Sequence, residues 1–227
     1  MFEQYADQLW MALFAAVIFY GIWQAVRAPF LVKKFYKQND LADHGKSELV
    51  DPPYAQSLVL EKLHANNVYR GQYRGYQVEQ FAAFPEDRHK FTLNKTKRKH
   101  NQAMWTVSVI HSEKPLVQFC ARPTTVTAAV GYVFDQDNVV FPEDEKFTNR
   151  VHVQSDNHSG VVDAFSEELR THLTGIDPIS LESIGGQLIQ LTPRQPYDVG
   201  QKLQADLDAL IKVHEVLHGA LSTTDIK

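Results

Sequence analysis

The segment Ile179-Ser180-Leu181-Glu182-Ser183-Ile184-Gly185-Gly186-Gln187-Leu188-Ile189-Gln190-Leu191 carries two strand-like runs on either side of a glycine pair. Both glycines can take positive φ without a Cβ clash, so the pattern predicts a tight hairpin between antiparallel strands. Upstream of it, Val162, Phe165, Leu169 and Leu173 recur at helical spacing, with N-cap residues at Asp156-Asn157-His158-Ser159 and a stop at Gly175. Before that helix, Phe147 to Val153 alternates as a strand. Two further strands, Met104 to Ile110 and Leu116 to Cys120, are joined across Ser112-Glu113-Lys114-Pro115. Connections this short predict an antiparallel meander. Tyr69 to Phe84, rich in aromatic residues, and Phe91-Thr92-Leu93 add strand signals, while Asp51-Pro52-Pro53 opens a predicted helix to Asn66. Downstream of the hairpin, a last helix starts near Asp198, with Gln201 placed for a capping box. The fold class expected is therefore α+β, a mainly antiparallel sheet packed with helices.

The N-terminus has a different texture. Leu9 to Val26 runs almost without a polar side chain, broken only by Gln24. At about 1.5 Å per residue, roughly 18 residues give about 27 Å of helix, near the lower limit for a bilayer core. Trp10 and Trp23 lie near its ends, where indole rings favour the headgroup boundary. Glu3 and Asp7 precede the run, and Arg27, Lys33, Lys34 and Lys37 follow it, so the positive-inside rule places the C-terminal side in the cytoplasm. Phe30, Leu31, Val32, Phe35 and Tyr36 interleave with those cations, as in a segment resting on an anionic leaflet. A cleaved signal peptide is disfavoured by the acidic start, and a buried helix of a soluble domain fits the continuity of the run less well. The expected organisation is a transmembrane anchor with its basic flank over residues 1–37, a linker over 38–51, one cytoplasmic domain over 52–221 and a tail over 222–227.

The 227 residues, 44% hydrophobic and 22% charged, fall within the range of ordered globular chains. A net charge of −4 argues against a general nucleic-acid binder. One cysteine, Cys120, excludes an internal disulfide, and its apolar neighbours predict an inert core thiol.

Several segments together carry a resemblance: Phe119-Cys120-Ala121-Arg122-Pro123, Val140-Phe141-Pro142-Glu143-Asp144, Phe147 to Val153, Asp156, Phe165, Leu169, Ser180-Leu181-Glu182 and Gly185-Gly186-Gln187-Leu188. In this order the chain, from about Tyr76 to Leu221, is similar to a group of bacterial proteins of unknown function. They have one N-terminal membrane segment and a cytoplasmic α+β domain. The resemblance implies a bacterial inner-membrane setting and transfers no functional residues.

Three clusters could carry chemistry. His214-Glu215-Val216-Leu217-His218 fits the zincin spacing: imidazoles four apart share a helix face, and Glu215 would act as general base on a zinc-bound water. Against this, Val199, Leu203, Leu207, Leu210, His214, Leu217 and Leu221 form one seam that makes His214 core-facing, and few residues follow His218 to supply a third ligand. His152, His158 or Glu182 could approach in space. The second cluster is the basic stretch Arg88 to His100, with Lys95, Lys97, Arg98 and Lys99; it could meet anionic lipid or a nucleic-acid backbone, or form a solvated hairpin tip. Third, Tyr69, Tyr73 and Tyr76 cluster with Arg70 and Arg74; Tyr69 and Tyr73 share a strand face with Gly71 and Gly75, where a partner backbone could come close, and a packed strand with snorkelling arginines explains the same residues. No nucleophile elbow, phosphate loop, CxxC pair or dinucleotide fingerprint is present. The expectation is a membrane-tethered, non-enzymatic module acting through protein or inner-leaflet contacts. The alternatives are a zinc-dependent hydrolase using His214, Glu215 and His218, and a weak nucleic-acid binder.

Overall fold

The computed structural model describes residues 2–45, 57–60, 63–85, 104–124, 138–175, 180–194 and 200–224. The basic stretch with Lys95, Lys97, Arg98 and Lys99, the strand expected at Phe91 to Leu93 and the cap expected at Asp198 lie outside them. A long helix, α1 (Phe2–Gln38), opens the chain. It is followed by β1 (Ala42–Asp43), β2 (Leu63–Tyr73), β3 (Tyr76–Pro85), β4 (Met104–His111), β5 (Phe119–Pro123), β6 (Asn138–Val139), α2 (Glu145–Thr148), β7 (Val151–Gln154), α3 (His158–Ala164), α4 (Glu167–Gly175), β8 (Ser180–Ile184), β9 (Gln187–Arg194) and α5 (Gly200–Thr224). The strands form one nine-stranded sheet in the order β1-β2-β3-β4-β9-β8-β5-β7-β6, and every pairing is antiparallel.

The α+β class and the antiparallel sheet agree with the sequence. So does the glycine hairpin: Ile184 pairs with Gln187 across Gly185 (φ 56°) and Gly186 (φ 76°). A second hairpin, β2–β3, turns at Arg74 (φ 51°) and Gly75 (φ 86°), the two-residue turn whose twist matches the strands. The meander does not hold. β4 pairs with β3 and β9, whereas β5 pairs with β7 and β8, so the C-terminal hairpin is inserted between two strands that follow each other in sequence. Three strand spacings separate β4 from β5, about 14 Å, and the seven residues 112–118 reach about 23 Å when extended, so the connection spans the gap.

Three other elements differ from expectation. The helix expected from Asp51 to Asn66 lies outside the described residues at 51–56 and 61–62, and where it is described there is a turn at residues 58–60 and then β2 from Leu63. Pairing of Leu63 to Asn66 with Pro85 to Ala82 overrides the local helical pattern. Phe147 belongs to the short helix α2, capped by the Asp144 carboxylate, and the strand begins only at Val151. The helix expected through Leu173 breaks at Phe165, whose side chain is buried among Phe119, Phe141 and Phe147, and Ser166 restarts it by accepting from the Leu169 amide.

α5 lies across the sheet over β4 and β9. Of the expected seam, Leu203, Leu207, Leu210, His214 and Leu217 are buried, with Val213 beside them, and Val199 lies outside the described residues. Beneath the helix the sheet is partly polar: the Gln80 amide donates to Ser108 Oγ and to the Leu203 carbonyl, and the Gln190 amide donates to Thr192 Oγ1 and the Asp206 carbonyl. The NH2 group of each buried glutamine is thus matched by one sheet hydroxyl and one helix backbone carbonyl.

The end of α1 is built into this domain. Phe35, Tyr36 and Leu41 are buried, Tyr36 stacks on Tyr69 at 3.6 Å between ring centroids, and β1 pairs with β2. The first part of the expected linker is therefore sheet and core. Gly71 permits it, because a Cβ there would stand 2.6 Å from the Asp40 carbonyl oxygen. The backbone approach expected at this glycine comes from the chain's own Asp40–Leu41. Among the described residues no helix is long and apolar enough to cross a membrane, so the transmembrane expectation for α1 gains no support from the fold.

Candidate functional site

The histidine pair meets the sheet at its β4 end. α5 presents His214 and His218 one turn apart, and the connector leaving β4 brings Ser112 between them. His214 Nε2 lies 3.1 Å from Ser112 Oγ, His218 Nε2 lies 2.9 Å from it, and the two Nε2 atoms are 3.1 Å apart. Ser112 Oγ also sits 2.7 Å from the Lys114 carbonyl oxygen, and its amide donates to the Gly186 carbonyl of the β8–β9 turn. The glycine hairpin thus holds the serine in place.

Both imidazoles are biased toward the neutral form. Burial pulls His214 down to about 4, helped by the neighbouring His218. His218 is lowered by burial and by the Lys114 ammonium. The Tyr76 ring stands edge-on to His214 at 5.3 Å, and its hydroxyl donates to Glu215 Oε1 at 3.1 Å. Burial, then that hydrogen bond, raises the Tyr76 phenol. His214 Nδ1 is buried and has no hydrogen-bond partner among the described residues.

This is only part of the zincin arrangement. Among the described residues no group of three His, Cys, Asp or Glu side chains could hold a metal ion. Glu182 is remote in role: it is buried on β8, where Ser57 Oγ donates to it, as do the Leu58 amide at 2.9 Å and the Val59 amide at 3.3 Å. His152 lies on β7 and pairs in register with Arg122, and His158 is exposed at the start of α3. Sequence reasoning missed Ser112, because a serine in a polar connector carries no distinguishing signal until the fold sets it against α5.

A cleft of about 610 Å³ opens beside β5, lined by Leu58, Leu116, Val117, Phe119, Glu182 and Ile184, among others. Cys120 also borders it, but burial pushes this thiol up to about 11, so it is not a nucleophile near neutrality. Arg70 pairs with Glu79 across the β2–β3 ladder and Arg74 with Asp208 of α5, so both arginines flanking Tyr69 and Tyr73 are engaged within the domain.

Away from the core, α1 exposes Trp10, Met11, Leu13, Phe14, Val17, Ile18, Phe19, Tyr20, Ile22 and Trp23, followed by exposed Arg27, Lys33, Lys34 and Lys37. Arg27 lies over the Trp23 ring at 4.5 Å.

These features define a class: an antiparallel α+β domain preceded by a long helix whose end is packed into it. No family model and no curated protein matches the sequence. The fold is similar to the crystal structure of the mycobacterial trehalose monomycolate transport factor A, TtfA, at a TM-score of 0.53 and 15% identity, over 82% of this chain and 91% of that one. At that identity the likeness is one of fold.

Proposed function

We propose that this protein is a membrane-tethered, non-enzymatic module of a bacterial inner membrane, held by α1 and acting through protein or inner-leaflet contacts. The observation that carries this reading is apolar exposure all the way round a helix. Val17, Ile18, Phe19 and Tyr20 are successive, turned about 100° from one another, and are 62%, 46%, 72% and 60% exposed. A partner docking on one side would cover one stripe; a bilayer covers the whole circumference. Ten large side chains from Trp10 to Trp23 are exposed in this way. At about 1.5–3 kcal/mol for each on full burial, covering them is worth on the order of 10 kcal/mol.

The basic flank then sets the orientation, with Arg27, Lys33, Lys34 and Lys37 at the cytoplasmic leaflet and the domain beyond them. The burial of Phe35 and Tyr36 ties the end of α1 into the domain, so the sheet would stand close to the lipid.

The test is flotation of the full-length chain with vesicles containing anionic lipid. The wild type should float with lipid, and Val17→Asp with Ile18→Asp should remain at the bottom of the gradient. Two charges near mid-helix cost about 5–7 kcal/mol on insertion. Equal flotation of both, or of neither, refutes the reading.

A further inference from the structure

We infer that His214 Nε2, His218 Nε2 and Ser112 Oγ form a binding site for one divalent transition-metal ion of the zinc type, clamping the C-terminal half of α5 to the β4–β5 connector. The inference is independent of the membrane reading and rests on a count of protons. Four contacts meet at this cluster: Ser112 with the Lys114 carbonyl, with His214 and with His218, and the two imidazoles with each other. A hydroxyl has one proton, and each Nε2 either carries one or offers a single in-plane lone pair.

Suppose the serine proton goes to the Lys114 carbonyl. Both imidazoles must then donate to Ser112 Oγ, which sets two N–H groups against each other across 3.1 Å. Suppose instead that it goes to His214. The His214 lone pair is then claimed twice, by Ser112 and by His218, and two oxygens face each other across 2.7 Å with no proton between them. Giving it to His218 produces the mirror image. No placement of protons satisfies all four contacts.

A cation satisfies them together. Both Nε2 lone pairs and one Ser112 lone pair point at the ion, and the serine proton remains free for the Lys114 carbonyl. The size agrees as well. Ligands about 2.0–2.1 Å from a tetrahedral zinc stand about 3.3 Å apart, and the three atoms here are 2.9–3.1 Å apart. Opening by a few tenths of an ångström admits the ion. Imidazole donors suit zinc, cobalt and nickel better than magnesium or calcium. The fourth position is left to solvent, and partly exposed His218 provides the access. The Lys114 ammonium is pressed on His218, and it weakens the site.

The experiment uses the purified full-length chain in detergent, stripped with chelator and titrated with Co²⁺, followed by its visible ligand-field absorption and by Zn²⁺ displacement. One equivalent should bind. His218→Ala should weaken binding by at least about 100-fold and Ser112→Ala by about tenfold, since even outer partners of a metal site are worth about 10–100-fold. Lys114→Ala should tighten it. His218 is partly exposed, so its variant is expected to fold, which melting in chelator checks. Should it not fold, the Ser112→Ala and Lys114→Ala pair carries the test. Absence of a saturable one-to-one signal in the wild type, or binding unchanged by His218→Ala, overturns the site. Affinity unchanged by Ser112→Ala overturns the role of the hydroxyl.

Discussion

Glu182→Gln offers the sharpest stability test of the domain. The carboxylate is buried, at 3% exposure, and receives three donors from one short segment: the Ser57 hydroxyl and the Leu58 and Val59 amides. Gln keeps the shape and one acceptor oxygen but turns the other oxygen into an NH2 group. Whichever way the amide lies, it faces at least one backbone N–H. The Ser57 hydroxyl can rotate to accept from it, while a backbone amide cannot. One hydrogen bond to a charged group is lost, about 1.5–3 kcal/mol, and a buried amide is left unsatisfied, another 1–3 kcal/mol. Removing a buried charge returns part of this, so a net loss of about 3 kcal/mol is expected. In a chain of this size that lowers Tm by about 6–12 °C. Urea denaturation gives the free energy, and hydrogen exchange should show the Leu58 and Val59 amides losing protection first. A change below about 0.5 kcal/mol, typical of surface substitutions, would mean that Glu182 does not anchor the segment.

Other expectations follow from single contacts. Gly71→Ala sets a Cβ 2.6 Å from the Asp40 carbonyl, so β1 and the end of α1 must shift; exchange at His44 and Val68, whose backbones are bonded across that edge, should rise, and unchanged protection would contradict this. Cys120, buried and pushed up to about 11, should react with a thiol reagent at pH 8 only when the chain unfolds, and rapid labelling of the native protein would refute its burial. His172 is lowered by burial and then by Lys212, with Glu168 opposing. Its folded value lies below its unfolded value, so the unfolded chain binds more protons in the window between them, and stability falls as pH drops below about 6.5. His172→Gln should flatten that part of the stability profile, and an unaltered profile would rule the residue out.

What the sequence revealed follows how local each signal is. Gly185-Gly186 demands positive φ from adjacent residues, and that constraint is written in two letters; so is the Asn157 cap, whose side chain accepts from the Gly160 amide. The α5 seam was legible because 3.6-residue periodicity repeats along one element. Strand order was not legible, because nothing in residues 112–118 records that β8 and β9 return to fill the gap between β4 and β5. The same holds for β2: Leu63 to Asn66 reads as helix until its partner strand is known. Half of the candidate site was visible as His214 and His218, four apart on a helix. The other half, Ser112 and Tyr76, comes from sheet ends more than a hundred residues away in sequence, and only tertiary register brings them there.

The measurement that bears most directly on the membrane reading is a depth profile of α1 in vesicles. Single spin labels are placed in turn at positions 10, 14, 17, 20 and 23, with Cys120 left buried and unlabelled, and relaxation by oxygen is compared with relaxation by a water-soluble nickel chelate. The account predicts greatest oxygen access and strongest shielding from nickel at position 17, falling toward Trp10 and Trp23. Nickel access at position 17 equal to that at the two tryptophan positions would contradict it.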